Sequence, residues 1–242
     1  MSRLTPVRNE ESMGASASGL QVCGVEFVPD ISGAAFLPAH RTLVVADLHF
    51  EKGSAFAARG VHLPPYDTRS TLFQLRRLVE HYRPDTVVAL GDSFHDGGAG
   101  ARIAPEDARG ITELTGLARW IWITGNHDPE PPEDLGGEIA DSFDLGPLVL
   151  RHIPAPSPAV GEVAGHLHPV AAVVTRGRRL RRRCFATDGV RLVMPAFGAF
   201  TGGLNVRAGA FDGIFDGTGF VAWMIGRDRV YPVSGRKLLP GD

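Results

Sequence analysis

Five separated stretches of this sequence carry side chains that could hold metal ions: Asp47-Leu48-His49, Gly91-Asp92, Gly125-Asn126-His127-Asp128, Arg151-His152 and Gly165-His166-Leu167-His168. Together Asp47, His49, Asp92, Asn126, His152, His166 and His168 offer seven oxygen or imidazole donors. A mixed set of carboxylate, amide and imidazole suits Mn, Fe or Zn, and the lack of a thiolate argues against a cysteine-type structural zinc site. Singly the motifs are weak. Asp-x-His occurs by chance, and a lone histidine at a strand end is more often a hydrogen-bonded structural residue. Their weight comes from context, because each stretch directly follows a short apolar run: Thr42–Ala46, Thr86–Leu90, Trp120–Thr124, Leu148–Leu150 and Val160–Ala164. Runs rich in Val, Ile and Leu read as buried strands, and α/β sheets place ligands beyond the strand carboxyl ends. Loops at one sheet edge can therefore meet at one point. Divalent cations held there could polarise a bound group or activate a water.

The intervening segments supply the scaffold. Asp67–Tyr82 reads as a helix, with Asp67 and Thr68 as candidate caps, an apolar face at Leu72, Leu75, Leu78, Val79 and Tyr82, and a stop at Pro84. Pro105–Ala118 opens with Pro-Glu-Asp and carries Ile111, Leu114 and Leu117, a second amphipathic helix. Short strands are expected over Gln21–Val28 and Ala34–Leu37. After Val170 the pattern turns β-rich, through Ala171–Thr175, Arg179–Thr187, Arg191–Pro195 and Gly219–Ile225. Residues 1–19 are small, polar and aperiodic and read as a disordered tail, leaving one domain over residues 20–242.

The order D-x-H, G-D, G-N-H-D, H and G-H-x-H resembles that of the calcineurin-like metallophosphoesterase superfamily, over roughly Leu20 to Trp223. The resemblance implies a four-layer α/β-β-α sandwich. It also implies that Asp47, His49 and His168 bind a first metal, that Asn126, His152 and His166 bind a second, and that Asp92 bridges the two. His127 then matches the catalytic histidine, which binds no metal and assists the leaving oxygen. The chain departs from the family pattern in two places. Many members have glycine after the isolated histidine, where this chain reads His152-Ile153-Pro154. Many continue G-D-x-x-D, where this chain reads Gly91-Asp92-Ser93-Phe94-His95-Asp96. Three readings stay open there: His95 approaching the substrate, Asp96 orienting His127, or both as loop residues with solvent partners.

A finer resemblance, to the bacterial ligase-associated DNA damage response metallophosphoesterases (PdeM-type endonucleases), rests on longer matches. These include Ala46–Gly53, Arg59-Gly60-Val61, Leu63–Thr68, Gly165–Pro169, Cys184-Phe185 and Met194–Gly203. It implies a manganese-dependent phosphodiesterase that acts on single-stranded or flexible DNA, in a repair pathway with a ligase, a helicase and a nuclease. The residues themselves give modest support. Arg176, Arg178, Arg179, Arg181, Arg182 and Arg183 cluster on a hairpin near Gly177, and Arg178, Arg181 and Arg182 are candidate phosphate contacts. Alternation along a strand lets no more than half of them face a substrate, and a solvated basic hairpin is an equal reading. Phe50, Tyr66 and Phe94 could stack bases, although aromatic residues beside a strand end are more often core. Pro195–Gly203 lacks the lysine of a phosphate-cradling P-loop and reads as a packed turn.

Composition bounds the rest. At 43% hydrophobic and 21% charged, the 242 residues suit a single globular core. No apolar run approaches the ~18 residues of a membrane span. The start lacks a signal-peptide pattern and there are only two cysteines, so a cytoplasmic protein is expected. Residues 1–150 hold 12 Lys+Arg against 21 Asp+Glu, net −9, while residues 151–242 hold 13 against 6, net +7. That asymmetry suits a polyanionic substrate. The rival activities on the same residues are phosphomonoesterase, cyclic-nucleotide phosphodiesterase and nucleotide pyrophosphatase. An inactive binding scaffold is disfavoured, because all seven donors and His127 are present.

Overall fold

The computed structural model describes residues 19–241 apart from His62, Pro65, Pro131, Ser157, Pro158, Asp216 and Gly217. The expected tail thus lies, but for Gly19, outside the described residues. The chain builds β1 (Leu20–Val22), β2 (Val25–Pro29), β3 (Ala35–Leu37), β4 (Thr42–Val45), α1 (Lys52–Ala58), α2 (Asp67–Tyr82), β5 (Thr86–Ala89), α3 (Ala99–Arg102), α4 (Pro105–Thr115), β6 (Arg119–Ile123) and β7 (Glu138–Ala140). It continues with β8 (Ser142–Leu145), β9 (Leu148–Arg151), β10 (Glu162–Ala164), β11 (Pro169–Thr175), β12 (Arg178–Thr187), β13 (Leu192–Val193), β14 (Leu204–Asn205), β15 (Val221–Ile225) and β16 (Val230–Ser234).

Two sheets result. The first runs β1-β2-β3-β4-β5-β6-β7; the second runs β14-β11-β12-β13-β10-β9-β8, with β15 and β16 added beside β12. In the first, β4 to β7 are parallel; in the second, β9, β10 and β13 are parallel. Parallel neighbours end on the same edge, so the loops after β4, β5 and β6 open together, as do those after β9 and β10. The chain crosses between sheets at Asp141, whose carboxylate accepts the Thr124 hydroxyl at 3.0 Å.

Side-chain alternation along the strands separates three apolar layers. Leu43, Val45, Val87, Ala89, Trp120 and Trp122 meet Leu72, Leu75, Leu78 and Val79 of α2 and Ile111 and Leu114 of α4. The opposite faces of the same strands, through Val44, Ala46, Val88, Leu90, Ile121 and Ile123, pack on Leu148, Leu150, Val163, Phe185, Leu192 and Met194. Each such buried residue contributes roughly 1.5–3 kcal/mol relative to exposure. Outside the second sheet, Cys184, Ala186, Ala222 and Met224 are covered by Phe211, Phe215, Phe220 and Leu238. The α/β-β-α arrangement therefore holds. Its outermost layer is built from a 3-10 turn at Gly209–Phe211 and neighbouring loop aromatics.

Some local expectations change. Gln21–Val28 is not one strand but a hairpin turning at Cys23 and Gly24, both with left-handed φ (49° and 80°). The second helix stops at Thr115, because Gly116 ends it. Helix α2 starts at Asp67 as expected, yet neither proposed cap acts as one, since the preceding position is Tyr66 and carries no side-chain cap bond. Asp67 instead accepts the Gly53 amide at 2.8 Å. The Thr68 hydroxyl accepts the Glu51 amide and donates to the Glu51 carboxylate, both at 2.9 Å. These two residues bind α2 to the entrance of α1.

One buried ion pair braces the second sheet. Arg191 donates through Nε to Glu162 at 3.0 Å and through its terminal nitrogen to the Ala155 carbonyl at 2.7 Å, with both charged side chains nearly free of solvent. Removing Arg191 leaves the buried Glu162 with only the Ala155 amide at 2.8 Å and the half-exposed Arg151 at 3.8 Å, so Arg191→Ala is expected to lower stability by about 3 kcal/mol. The double substitution Arg191→Met with Glu162→Leu is expected to lose less than the single one. Urea melts of the three proteins check this; a double variant weaker than Arg191→Ala contradicts it.

Candidate metal centre

The donors converge. Asp47 follows β4, Asp92 follows β5, Asn126 and His127 follow β6, His152 follows β9, His166 follows β10, and His168 immediately precedes β11. Two triads form, Asp47-His49-His168 and Asp92-His152-His166, in each of which one ligand atom per residue lies within 4.8 Å of the others. Asp47, His49, Asp92, His166 and His168 all have positive φ, at 53°, 46°, 47°, 67° and 45°. That left-handed backbone turns the chain sharply just past each strand and folds the side chains inward. The loops also bind one another: the His49 amide donates to the Asp92 carbonyl at 2.9 Å, the His127 amide to Asp92 Oδ1 at 2.9 Å, and the His166 amide to both Asp47 carboxylate oxygens at 3.1 Å. Gly125 is required where the β6 loop passes Asp92, since a Cβ there would stand 2.2 Å from the Asp92 nitrogen.

The donor set fits a cation. His152 Nδ1 lies 2.8 Å from the Leu90 carbonyl, so that nitrogen carries a proton and donates it. Its Nε2 then faces Asn126 Oδ1 at 2.9 Å, Asp92 Oδ1 at 3.3 Å and His166 Nδ1 at 3.2 Å. A carboxylate and an amide oxygen can only accept, and one proton on Nε2 serves a single neighbour well. Acceptors crowded on one point are what a positive ion relieves. On the other side His168 Nε2 stands 3.3 Å from Asp47 Oδ1. Burial drives the His49 ring down to about 3 against the pull of Asp92, so it stays neutral with a lone pair to give. Burial also lifts the Asp92 carboxyl, but the hydrogen bond and charge of His152 outweigh it and hold Asp92 at about 2.

His127 and His95 stand together at the rim. Their rings stack at 5.5 Å and 18°. The His127 Nδ1 faces the His95 carbonyl at 3.0 Å and must donate to it. Its Nε2 is turned toward the centre, 4.0 Å from Asp92 Oδ2. His95 Nδ1 lies 3.5 Å from His49 Nδ1. Asp96 does not meet the His127 ring; its carboxylate binds Arg102 at 2.5 Å and the Gly98 amide at 3.0 Å. The oxygen that meets His127 is a main-chain one.

Known proteins resemble this chain. Residues 40–183 match the calcineurin-like phosphoesterase family. The chain belongs to that family. This phosphoesterase is similar to the solved nuclease MPE of Pseudomonas putida, at 30% identity over 88% of this chain and 98% of that one, with a TM-score of 0.68. A second solved structure, AQ665 of Aquifex aeolicus, a protein of unknown function, aligns at 20% identity over 52% of this chain and 78% of that one, with a TM-score of 0.38. No curated protein matches. The chain is a metal-dependent phosphoesterase, a hydrolase with two candidate metal-binding groups. No helix among the described residues is long and apolar enough to cross a membrane.

Other candidates fall in different places in this phosphoesterase. Arg178 pairs in register with Thr175, seven residues beyond His168, roughly 23 Å along an extended strand. Arg183 pairs with Val170, beside the centre. Alternation puts Arg178 and Arg182 on the face of Cys184, and Arg181 and Arg183 on that of Phe185. The expected arginine trio is thus split between two faces. Phe50 and Phe94 are buried in the core, whereas Tyr66 is exposed.

Asp128 carries a role that sequence reasoning left unassigned, although it is the last residue of the Gly-Asn-His-Asp stretch. Its buried carboxylate accepts the Phe94 amide at 3.0 Å and braces the loop that holds Asp92 and His95. The other oxygen is buried without a partner. Burial, aided by the nearby Asp92 charge and opposed by the Phe94 amide, pushes this carboxyl up to about 7. A raised folded value contributes stability that is complete below the ordinary 3.8 and lost as pH rises through about 7. In chelator-treated protein, Asp128→Asn is expected to flatten stability between pH 4 and 7 relative to the parent, measured by thermal melts. Parallel curves for the two proteins would remove the assignment.

Proposed function

We propose that this phosphoesterase hydrolyses DNA phosphodiester bonds with two divalent cations, most readily Mn2+, and acts as an endonuclease on single-stranded or flexible DNA. The single observation that carries the reading is that two donor triads, Asp47-His49-His168 and Asp92-His152-His166, lie side by side, with Asp47 Oδ1 3.9 Å from His152 Nδ1. Asp47, His49 and His168 would hold one ion and Asn126, His152 and His166 the other, with Asp92 shared by the two. Ions bound there would supply Lewis acidity, offsetting phosphoryl charge and making a water more acidic. Similarity to a nuclease across most of both chains supports nucleic acid over a small phosphate ester.

The remaining steps belong to the protein. His127 is fixed by the His95 carbonyl on Nδ1, and as an imidazolium it carries a proton on Nε2 toward the centre. Delivered to the leaving oxygen, that proton contributes roughly 10²–10⁴ in rate. Asp92 Oδ2 stands 4.0 Å from His127 Nε2. Asn126 supplies a neutral oxygen, which limits the negative charge facing a phosphate. The buried loops behind Asp47 and Asp92 keep both carboxylates out of bulk water.

His127→Ala is expected to retain bound metal while losing about 10²–10⁴ of turnover, and Asp92→Ala to lose metal and turnover together. Metal content by plasma emission and hydrolysis of an aryl phosphodiester read these outcomes. Parental turnover in His127→Ala rejects its role. Aryl monoester, aryl diester and single-stranded oligonucleotide substrates, compared side by side, decide the class; preference for the monoester or for a nucleotide pyrophosphate overturns the DNA reading.

A further inference from the structure

Three surface clefts, of about 430, 920 and 270 Å³, have Arg183 in common. The first lies along Arg181, Arg182 and Thr201–Gly203, the second along the outer face of α2, and the third against Phe197–Thr201. Their shared residue gives a length of surface suited to a polymer. It passes the metal-ligand loops: the Gly198 amide binds the Asp47 carbonyl at 3.1 Å, and the Leu204 amide binds the His168 carbonyl at 3.2 Å.

The chemistry along this surface is consistent. Several arginines elsewhere face acids, as Arg41 faces Asp85, Arg76 faces Glu113 and Arg119 faces Glu138. Arg183 instead donates to the Ala196 carbonyl at 2.6 Å and the Ser32 carbonyl at 3.2 Å. Arg181 donates to the Gly203 carbonyl at 2.6 Å and Arg182 to the Arg181 carbonyl at 2.9 Å. Carbonyls orient a guanidinium but leave its charge uncompensated, and a partly buried cation without a counter-ion favours an anionic ligand. Ala196 lies two residues before Gly198, so Arg183 is tied to the same segment that bonds to the Asp47 loop.

Aromatic rings alternate with these cations. Phe200 is 48% exposed although its neighbour Phe197 is buried, and it holds a left-handed φ of 57°. An aromatic residue in that conformation and facing solvent is held by its loop for something other than packing. Tyr66, just before α2, and Phe73 on it, both 63% exposed, stand seven residues apart and line the second cleft. The acids nearby are engaged: Asp30 binds the Ser32 amide and the Tyr82 hydroxyl, while Glu106 and Asp107 pair with Arg69.

Resting on the DNA reading above, we infer that this surface is a track for a single nucleic-acid strand, with Arg183 and Arg181 binding phosphates beside the scissile one. Phe200 stacks the flanking base, and Tyr66 and Phe73 stack bases farther along. Exposed π-faces interleaved with uncompensated cations are what a single strand requires, whereas paired bases in a duplex offer no face to stack on.

The test uses the metal-loaded enzyme and a labelled single-stranded oligonucleotide, with binding followed by anisotropy across a salt series. Phe200→Ala is expected to weaken binding at least fivefold with the salt slope retained. Arg183→Gln is expected to weaken it and to flatten the slope by about 0.7 for each phosphate that the protein no longer neutralises. In both, the ratio of oligonucleotide to aryl-diester cleavage falls at least fivefold. Should Arg183→Gln fail to fold, Arg181→Gln at the exposed end of the same series replaces it, with the same loss expected. Unchanged affinity and slope overturn the track, as does a proportional loss on both substrates, or an equal loss of blunt-duplex binding in Phe200→Ala. A parent enzyme that binds the strand but cleaves no diester instead counts against the proposed activity and leaves the track standing.

Discussion

Asp47, His49, Asp92, His166 and His168 occupy left-handed backbone, a region that L-residues other than glycine enter at roughly 1–2 kcal/mol each. Five such positions together approach the ~5–15 kcal/mol net stability of a whole domain. The parallel strands behind them make this tolerable, because apolar side chains on both faces of β4, β5 and β6 fix the strand ends in place. Amide-to-carbonyl and amide-to-carboxylate bonds between different loops then hold the turned residues. His49 to Asp92, His127 to Asp92 and His166 to Asp47 are the clearest. Inward-turned donors, crowded acceptors and a rim of histidines all follow from that one backbone constraint.

Much of this is readable in the order of residues. A run such as Thr42–Ala46 has nothing but buried positions to offer, and the polar residue after it must lie where the strand ends. Hence residue order alone places the donors at one edge. Helix α2 is equally clear, because its apolar spacing extends over four turns. What residue order misses is local and depends on tertiary partners. Asp67 and Thr68 have the side chains of helix caps, but Gly53 and Glu51, fourteen and seventeen residues earlier, compete for them and win. Cys23 gives no turn signal by type; at the break there the Cys23 amide bonds to the Gly189 carbonyl, in the turn between β12 and β13. Asp128 shows no role by its type or spacing, since only burial reveals that its carboxyl props up the Asp92 loop.

The arginine hairpin shows how a strand parses a charge run. Six arginines within eight positions look like one patch in the sequence, but alternation divides them between two faces, and register places Arg178 far from the centre. The acidic and basic parts of the chain nevertheless come close to one another. Asp47 and Asp92 follow strands of the first sheet, while Arg183 in the second pairs with Val170, two residues past His168.

The bonds that displaced the helix caps have a mechanical meaning. Thr68 grips both the amide and the carboxylate of Glu51, which is two residues from His49, and Asp67 grips the next turn at Gly53. Helix α2 and the His49 loop are thereby coupled like a rod and crank. A shift of α2 along its axis would therefore pull on Glu51 and Gly53, and through Glu51 on a backbone only two residues from the His49 imidazole.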